Sequence, residues 1–78
     1  MPDMWRKLRE WPELFLERLE DAGVARIVLN RPEKRNSWNA PLVDAFFAAL
    51  DQIRADRELK VVISKGNGPV YSSGLHLH

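Results

Sequence analysis

The sequence of 78 residues contains no cysteine, so it offers neither disulfide bonds nor the usual thiolate zinc sites. It also lacks a large charge of either sign, because 12 Lys and Arg residues against 11 Asp and Glu residues give a formal net charge of +1. A dedicated nucleic-acid-binding domain usually has a clear excess of positive charge. We therefore expect no nucleic acid among the partners.

Long apolar runs are missing as well. No stretch approaches the roughly 20 residues that cross a bilayer, and the N-terminus MPDMWRKLREWPELF has no apolar core of a secretion signal. The sequence therefore predicts no membrane association and a cytoplasmic location. The remaining composition, 45% hydrophobic and 29% charged, is typical of one small globular domain.

The first twelve residues have a different pattern from the rest. Trp5, Leu8 and Trp11 stand at helix-like spacing, and Pro12 disfavours helical geometry in the residue before it. This pattern fits an N-terminal arm and a short helix equally well. We therefore expect residues 1–12 to be an arm or short helix that precedes one domain over residues 13–78.

The next residues predict an α/β unit. Residues 13–21 and 24–30 read as two strands of an antiparallel hairpin, joined by a short turn that contains glycine. Residues 59–64 form a third strand that is apolar enough to be interior. Because a helix lies between the second and third strands, we expect a parallel crossover.

The helix has the clearest signal in the chain. Asn39 suits the N-cap position and Pro41 suits the first turn. Seven side chains follow the i, i+3, i+4, i+7 pattern and are expected on the inner face: Leu42, Val43, Phe46, Phe47, Leu50, Ile53 and Arg54.

Two polar segments contain candidate chemistry. In the loop before the helix, Lys34 and Arg35 could hold an anionic group near backbone N–H groups, although an ordinary solvated loop has the same composition. Ser37 and Trp38 in that loop are candidates for lining a pocket.

The C-terminal stretch GPVYSSGLHLH offers three further interpretations. Ser72 and Ser73 lack the G-x-S-x-G setting of a nucleophilic serine. His76 and His78 could share one strand face and bind zinc, but the chain has no third histidine, so we expect no metal site. Gly74 lets the backbone bend so that N–H groups can face a developing negative charge, although a simple turn glycine has the same signature.

Three pieces in order resemble the N-terminal portion of the enoyl-CoA hydratase/isomerase (crotonase) superfamily. They are LNRPEKRNSWN, the helix ending in IRAD with the strand KVVIS, and GPVYSSGLHL. The resemblance covers residues 13–78 and implies the N-terminal part of a ββα spiral, incomplete in this chain. It also implies an acyl-CoA thioester as substrate, no prosthetic group, and assembly as a homotrimer or dimer of trimers.

The resemblance also implies roles for particular residues. The backbone N–H of Leu75 corresponds to one donor of the oxyanion hole that stabilises the thioester enolate. His76 stands where the superfamily usually has aspartate, and it is a candidate for the acyl pocket. The residues that the resemblance assigns to binding the CoA substrate are Lys34, Arg35, Ser37, Ser73, Gly74, Leu75 and His76.

The implied activity is that of an enoyl-CoA hydratase-like or isomerase-like enzyme. The catalytic glutamates and the second oxyanion donor of the superfamily lie further along than these residues. Other superfamily reactions, such as dehalogenation or C–C bond hydrolysis, remain open. Two alternatives from other classes are a non-catalytic binding or interaction module with this fold, and a small independent α/β domain without a ligand.

Overall fold

The computed structural model describes residues 5–19, 22–69 and 71–72. These residues form one mixed four-stranded sheet in the order β1-β2-β3-β4, with one long helix against it. The elements are β1 Trp5–Glu10, β2 Leu14–Leu19, β3 Val24–Leu29, a short 3-10 helix Pro32–Lys34, α1 Ala40–Arg54 and β4 Val61–Gly66. No helix of the described residues is long and apolar enough to cross a membrane.

In the N-terminal segment, residues 5–10 form a strand rather than the short helix that was one of the two alternatives. β1 pairs antiparallel with β2, with a register shift between Lys7 and Arg9. The guanidinium of Arg26 lies 3.9 Å from the centre of the Trp5 ring, and Lys7 Nζ lies 4.6 Å from that of Phe15. Cross-strand contacts therefore outweigh the weak local preference for a helix.

The predicted hairpin and crossover are confirmed. β2 and β3 are antiparallel in regular register, and β3 and β4 are parallel, with α1 between them in the chain. The extent of the domain over residues 13–78 stays a prediction.

The core lies between α1 and one face of β2 and β3. The fully or almost fully buried residues of this cluster are Leu14, Leu16, Ala25, Ile27, Leu29, Leu42, Ala45 and Ala49. Alternate residues of β2 and β3 contribute to it, as expected for one covered sheet face. Phe46, Leu50 and Ile53 pack against its edge, as predicted.

The helix is rotated relative to its predicted inner face. Ala45 and Ala49 are buried, whereas Phe47 keeps 61% of its surface exposed. The small side chains of these two alanines let the helix backbone lie close to the sheet. A pattern built from large apolar residues does not reveal such a contact, because alanine is not counted in it. The inner stripe is therefore centred on the alanines.

β4 also differs from its prediction as an interior strand. It is the edge of the sheet, and Val61, Val62 and Ile63 are 51%, 44% and 42% exposed. The helix packs on β2 and β3, so neither face of β4 is fully covered by the described residues. An apolar edge strand of this kind is a surface suited to further pairing.

Gly23 is required by the turn that connects β2 to β3. Its φ is +65°, and a Cβ on it would lie 2.7 Å from the backbone oxygen of Glu58. The Gly23 oxygen also accepts hydrogen bonds from the N–H groups of Lys60 and Val61. This turn therefore fixes the start of β4 beside β3.

We expect Gly23→Ala to destabilise the full-length protein by about 1–3 kcal/mol, because a left-handed alanine is strained and its Cβ would push against a backbone atom. Urea denaturation measures the change. Ala22→Gly, at the exposed neighbouring position, is the control and should have a smaller effect. Equal stability of Gly23→Ala and the unsubstituted protein would contradict the described turn.

Candidate functional site

Two loops meet at the carboxyl ends of the parallel strands. The first loop, residues 30–39, connects β3 to α1, and the second loop follows β4 and is described at residues 67–69, 71 and 72. The N–H of Asn67 donates to the oxygen of Leu29 at 2.8 Å, which joins the starts of both loops. We call these two segments the paired loops. Ligands of open α/β sheets bind at this edge, which makes the paired loops the candidate site.

The first loop has an unusual backbone. After the 3-10 helix at Pro32–Lys34, Arg35 and Asn36 both adopt left-handed conformations, with φ of 54° and 52°. The Arg35 N–H donates to the Pro32 oxygen, and the Asn36 N–H donates to the Arg31 oxygen at 2.7 Å. Two consecutive left-handed residues other than glycine persist only where neighbouring contacts hold them.

Asn36 supplies those contacts. Its side chain is 0% exposed. Its Oδ1 accepts from the Arg31 N–H at 2.7 Å, and its Nδ2 donates to the Asn67 oxygen at 2.9 Å. Its backbone oxygen accepts from Ser72 Oγ at 2.8 Å. One buried residue therefore bonds to the second loop at both Asn67 and Ser72.

Further contacts bring the loops together. Asn67 Nδ2 donates to Asn30 Oδ1 at 2.8 Å. Gly68 has φ of +94°, and a Cβ on it would lie 3.0 Å from Pro32 Cβ. The hydroxyls of Tyr71 and Ser64 share a hydrogen bond of 2.8 Å that holds the second loop against β4. The second loop is therefore packed directly on the first.

The structure places some of the predicted site residues in this region. Lys34 and Arg35 are exposed on the first loop, and within the described part of the chain neither forms an ion pair. Ser37 is 8% exposed, and its N–H donates to the Lys34 oxygen. Arg31 adds a third positive charge, and its buried Nε has no hydrogen-bond partner among the described residues.

The remaining predicted residues are not placed at the site by the structure. Trp38, which we expected to line a pocket, packs edge-to-face on Phe46 with ring centres 5.2 Å apart and covers the core. The predictions for Ser73, Gly74, Leu75, His76 and His78 fall outside the described residues. Among the residues that are described, His, Cys, Asp and Glu side chains form no group of three that could hold a metal.

The start of α1 borders the first loop. Asn39 Oδ1 accepts from the Leu42 N–H at 3.0 Å, which confirms the predicted N-cap. The positive end of the helix dipole therefore lies at the same edge of the sheet as Lys34 and Arg35.

Two open grooves lie away from the paired loops. One, of about 500 Å³, has Leu8, Leu16, Ile53 and Leu59 among its lining residues. Another is lined by residues around Gly23 and Lys60. Both grooves lie nearer the amino ends of β3 and β4, whereas the paired loops lie at the carboxyl ends. The grooves and the paired loops are therefore two different candidate locations for a binding site. We give more weight to the loops, where buried polar groups converge.

Comparison with known proteins identifies the family. The enoyl-CoA hydratase/isomerase family model matches residues 19–78, which include all of both paired loops. The chain belongs to this family. The match confirms the resemblance drawn from the sequence.

Individual relatives agree with this family. The chain is 32% identical over 71 residues to the mitochondrial Delta(3,5)-Delta(2,4)-dienoyl-CoA isomerase of Dictyostelium discoideum. The aligned residues are 91% of this chain and 24% of the relative. An enoyl-CoA hydratase/isomerase from Xanthobacter autotrophicus Py2 has a similar structure, with a TM-score of 0.78, 39% identity and coverage of 85% of this chain and 24% of that chain. An enoyl-CoA hydratase from Mycobacterium tuberculosis gives a TM-score of 0.73 with 42% identity, covering 82% and 28%.

These likenesses confirm the predicted fold class, an incomplete crotonase-like α/β unit with a mixed sheet and a helix. The chain spans about a quarter of the length of the relatives it matches. What the family match adds to the geometry is that both paired loops lie inside the shared region.

Proposed function

We propose that the protein is an acyl-CoA-transforming enzyme of the enoyl-CoA hydratase/isomerase kind. The observation that carries the proposal is the family match through both paired loops, in a chain where these loops are held together by a buried asparagine. The paired loops would form one side of the site for the CoA thioester, and the acid and base groups would come from other parts of the enzyme.

The first loop would receive the phosphates of CoA. Lys34 and Arg35 are exposed and belong to the loop that leads into the N-terminus of α1, and cations and a helix N-terminus both favour anionic groups. The buried Ser37 would shape the loop backbone behind them, and Ser73 would approach from the second loop. Much of the recognition there would come from backbone groups, with the two cations as auxiliary contacts.

The thioester carbonyl would be bound further along the second loop. The proposed donor is the backbone N–H of Leu75, with Gly74 permitting the bend that directs it inward. A preorganised donor at a developing oxyanion typically contributes about 2.7–4 kcal/mol of transition-state stabilisation. His76 would contact the acyl group.

The reaction is addition of water to an enoyl-CoA or a shift of its double bond, because solved structures of relatives include both enoyl-CoA hydratases and an enoyl-CoA isomerase. In both reactions negative charge develops on the thioester oxygen, and the oxyanion donor would stabilise it. We further propose that the enzyme needs no prosthetic group, is a homotrimer or dimer of trimers, and is cytoplasmic.

A turnover assay tests the proposed activity. The full-length protein is incubated separately with a 2-enoyl-CoA and with a 3-enoyl-CoA, and the products are separated by liquid chromatography and identified by retention time and mass. Hydration increases the product mass by one water, whereas isomerisation leaves the mass unchanged and moves the double bond. Recovery of both substrates unchanged would contradict the proposal and favour a non-catalytic member of the family.

The cations of the first loop give a separate prediction. We expect Lys34→Ala combined with Arg35→Ala to weaken binding of an acyl-CoA about 3- to 10-fold, because exposed charge contacts contribute modestly. The effect should decrease at high salt. Isothermal titration measures the change, and an acyl-pantetheine thioester without the phosphates should bind both proteins equally.

A matched control removes the same charge elsewhere. Arg57 and Lys60 are exposed cations at the opposite end of the sheet. Their double alanine variant should bind the acyl-CoA as the unsubstituted protein does. Equal weakening in both double variants would show that only net charge matters and would exclude a specific role for Lys34 and Arg35.

A further inference from the structure

The paired loops are joined through one buried side chain. Asn36 bonds to the Arg31 N–H through Oδ1 at 2.7 Å and to the Asn67 oxygen through Nδ2 at 2.9 Å. Arg31 and Asn67 belong to different loops and are separated by a strand and a helix in the chain. The amide therefore fixes the distance between two backbone segments that approach each other through tertiary structure.

Few other residues can make this connection. The position is left-handed, with φ of 52°, which asparagine tolerates better than most residues. It also needs an acceptor and a donor on one short side chain. Aspartate keeps the acceptor but would place a carboxylate oxygen against the Asn67 carbonyl. Glycine fits the backbone but leaves two part-buried backbone groups, the Arg31 N–H and the Asn67 oxygen, without this partner, which is costly.

Asn36 also bonds to Ser72, which precedes Gly74 by two residues in the sequence. Its backbone oxygen accepts the Ser72 hydroxyl at 2.8 Å, and Ser72 is the last described residue. Lys34 and Arg35 directly precede Asn36. The proposed phosphate contacts and the segment leading to the proposed oxyanion donor therefore share one anchor.

We infer that Asn36 is a positioning residue for the reaction, an inference that rests on the proposed function. It contacts no reacting atom; it sets the separation between the loop that binds CoA and the loop that leads to the oxyanion donor. Because misplacement by about 1 Å can lower a rate by about 10²-fold, loss of this connection should affect turnover beyond its effect on folding.

The test compares three variants of the full-length protein. Asn36→Gly keeps the backbone conformation and removes the amide, and kcat/KM for an enoyl-CoA should fall about 10- to 100-fold, mostly in kcat. Asn36→Asp keeps the acceptor for the Arg31 N–H but sets a carboxylate oxygen against the Asn67 carbonyl, so kcat/KM should fall at least as far as in Asn36→Gly. Gly23→Ala destabilises the protein at the far end of the sheet, and the folded fraction should keep kcat/KM within about twofold of the unsubstituted protein.

The outcomes separate the two claims. Unchanged kcat/KM in Asn36→Gly, or an equal fall in Gly23→Ala, would overturn the positioning role while leaving the proposed function intact. If the unsubstituted protein itself turns over no acyl-CoA, the proposed function fails. In that case amide hydrogen exchange still tests the connection: the Arg31 N–H should exchange faster in Asn36→Gly but not in Gly23→Ala, and unchanged exchange would overturn it.

Discussion

Replacement of Gly74 by valine is expected to lower kcat for an enoyl-CoA by about 10²–10³-fold, the usual effect of losing one oxyanion donor. In the proposed function the bend at Gly74 directs the Leu75 N–H toward the thioester oxygen. A β-branched side chain restricts the backbone and should remove this alignment. Stopped-flow or steady-state assays of enoyl-CoA turnover measure the loss.

Two controls isolate the effect of the Gly74 substitution. Light scattering should show the same oligomer for Gly74→Val as for the unsubstituted protein, which excludes misassembly. Leu75→Ala changes the side chain but keeps the backbone N–H, so its kcat should stay within about 10-fold, well short of the loss of a donor. Full activity of Gly74→Val would contradict the role of this bend.

The second large effect is expected in the core. Ile27→Ala should destabilise the protein by about 2–5 kcal/mol, because it removes a large side chain that is completely buried between the sheet and α1. This is a substantial part of the roughly 5–15 kcal/mol that stabilises most domains. Urea denaturation of the full-length protein measures the free energy of unfolding.

The control for the core substitution lies on the outer side of α1. Asp44 is exposed on α1, and Asp44→Ala should change the stability by no more than about 0.5 kcal/mol. A decrease of less than about 1 kcal/mol in the free energy of unfolding for Ile27→Ala would show that Ile27 is not packed in the core.

The hairpin, helix and crossover were predictable because their signals are local. A glycine turn between two apolar runs predicts the hairpin, and Asn39 with the following periodic residues predicts the helix and its N-cap. β1 was not predictable in this way, because Trp5 and Lys7 are placed by ring contacts with residues of β2 and β3. The edge position of β4 likewise depends on which strands α1 covers.

The candidate site was predicted only in part. Charge and the family resemblance predict Lys34 and Arg35, the resemblance predicts Ser37, and the structure places all three on the first of the paired loops. Asn36 was missed because its importance arises from Asn67, a partner 31 positions away. A left-handed turn that favours asparagine was the local signal available, and it predicts a conformation without predicting the partner.

The most direct test of the central claim is isothermal titration of the full-length protein with a CoA thioester. We expect saturable binding in the micromolar to low-millimolar range, weakened in the Lys34→Ala, Arg35→Ala double variant. Binding should be unchanged in the Arg57→Ala, Lys60→Ala control. Absence of binding by the folded protein would show that it is not an acyl-CoA enzyme.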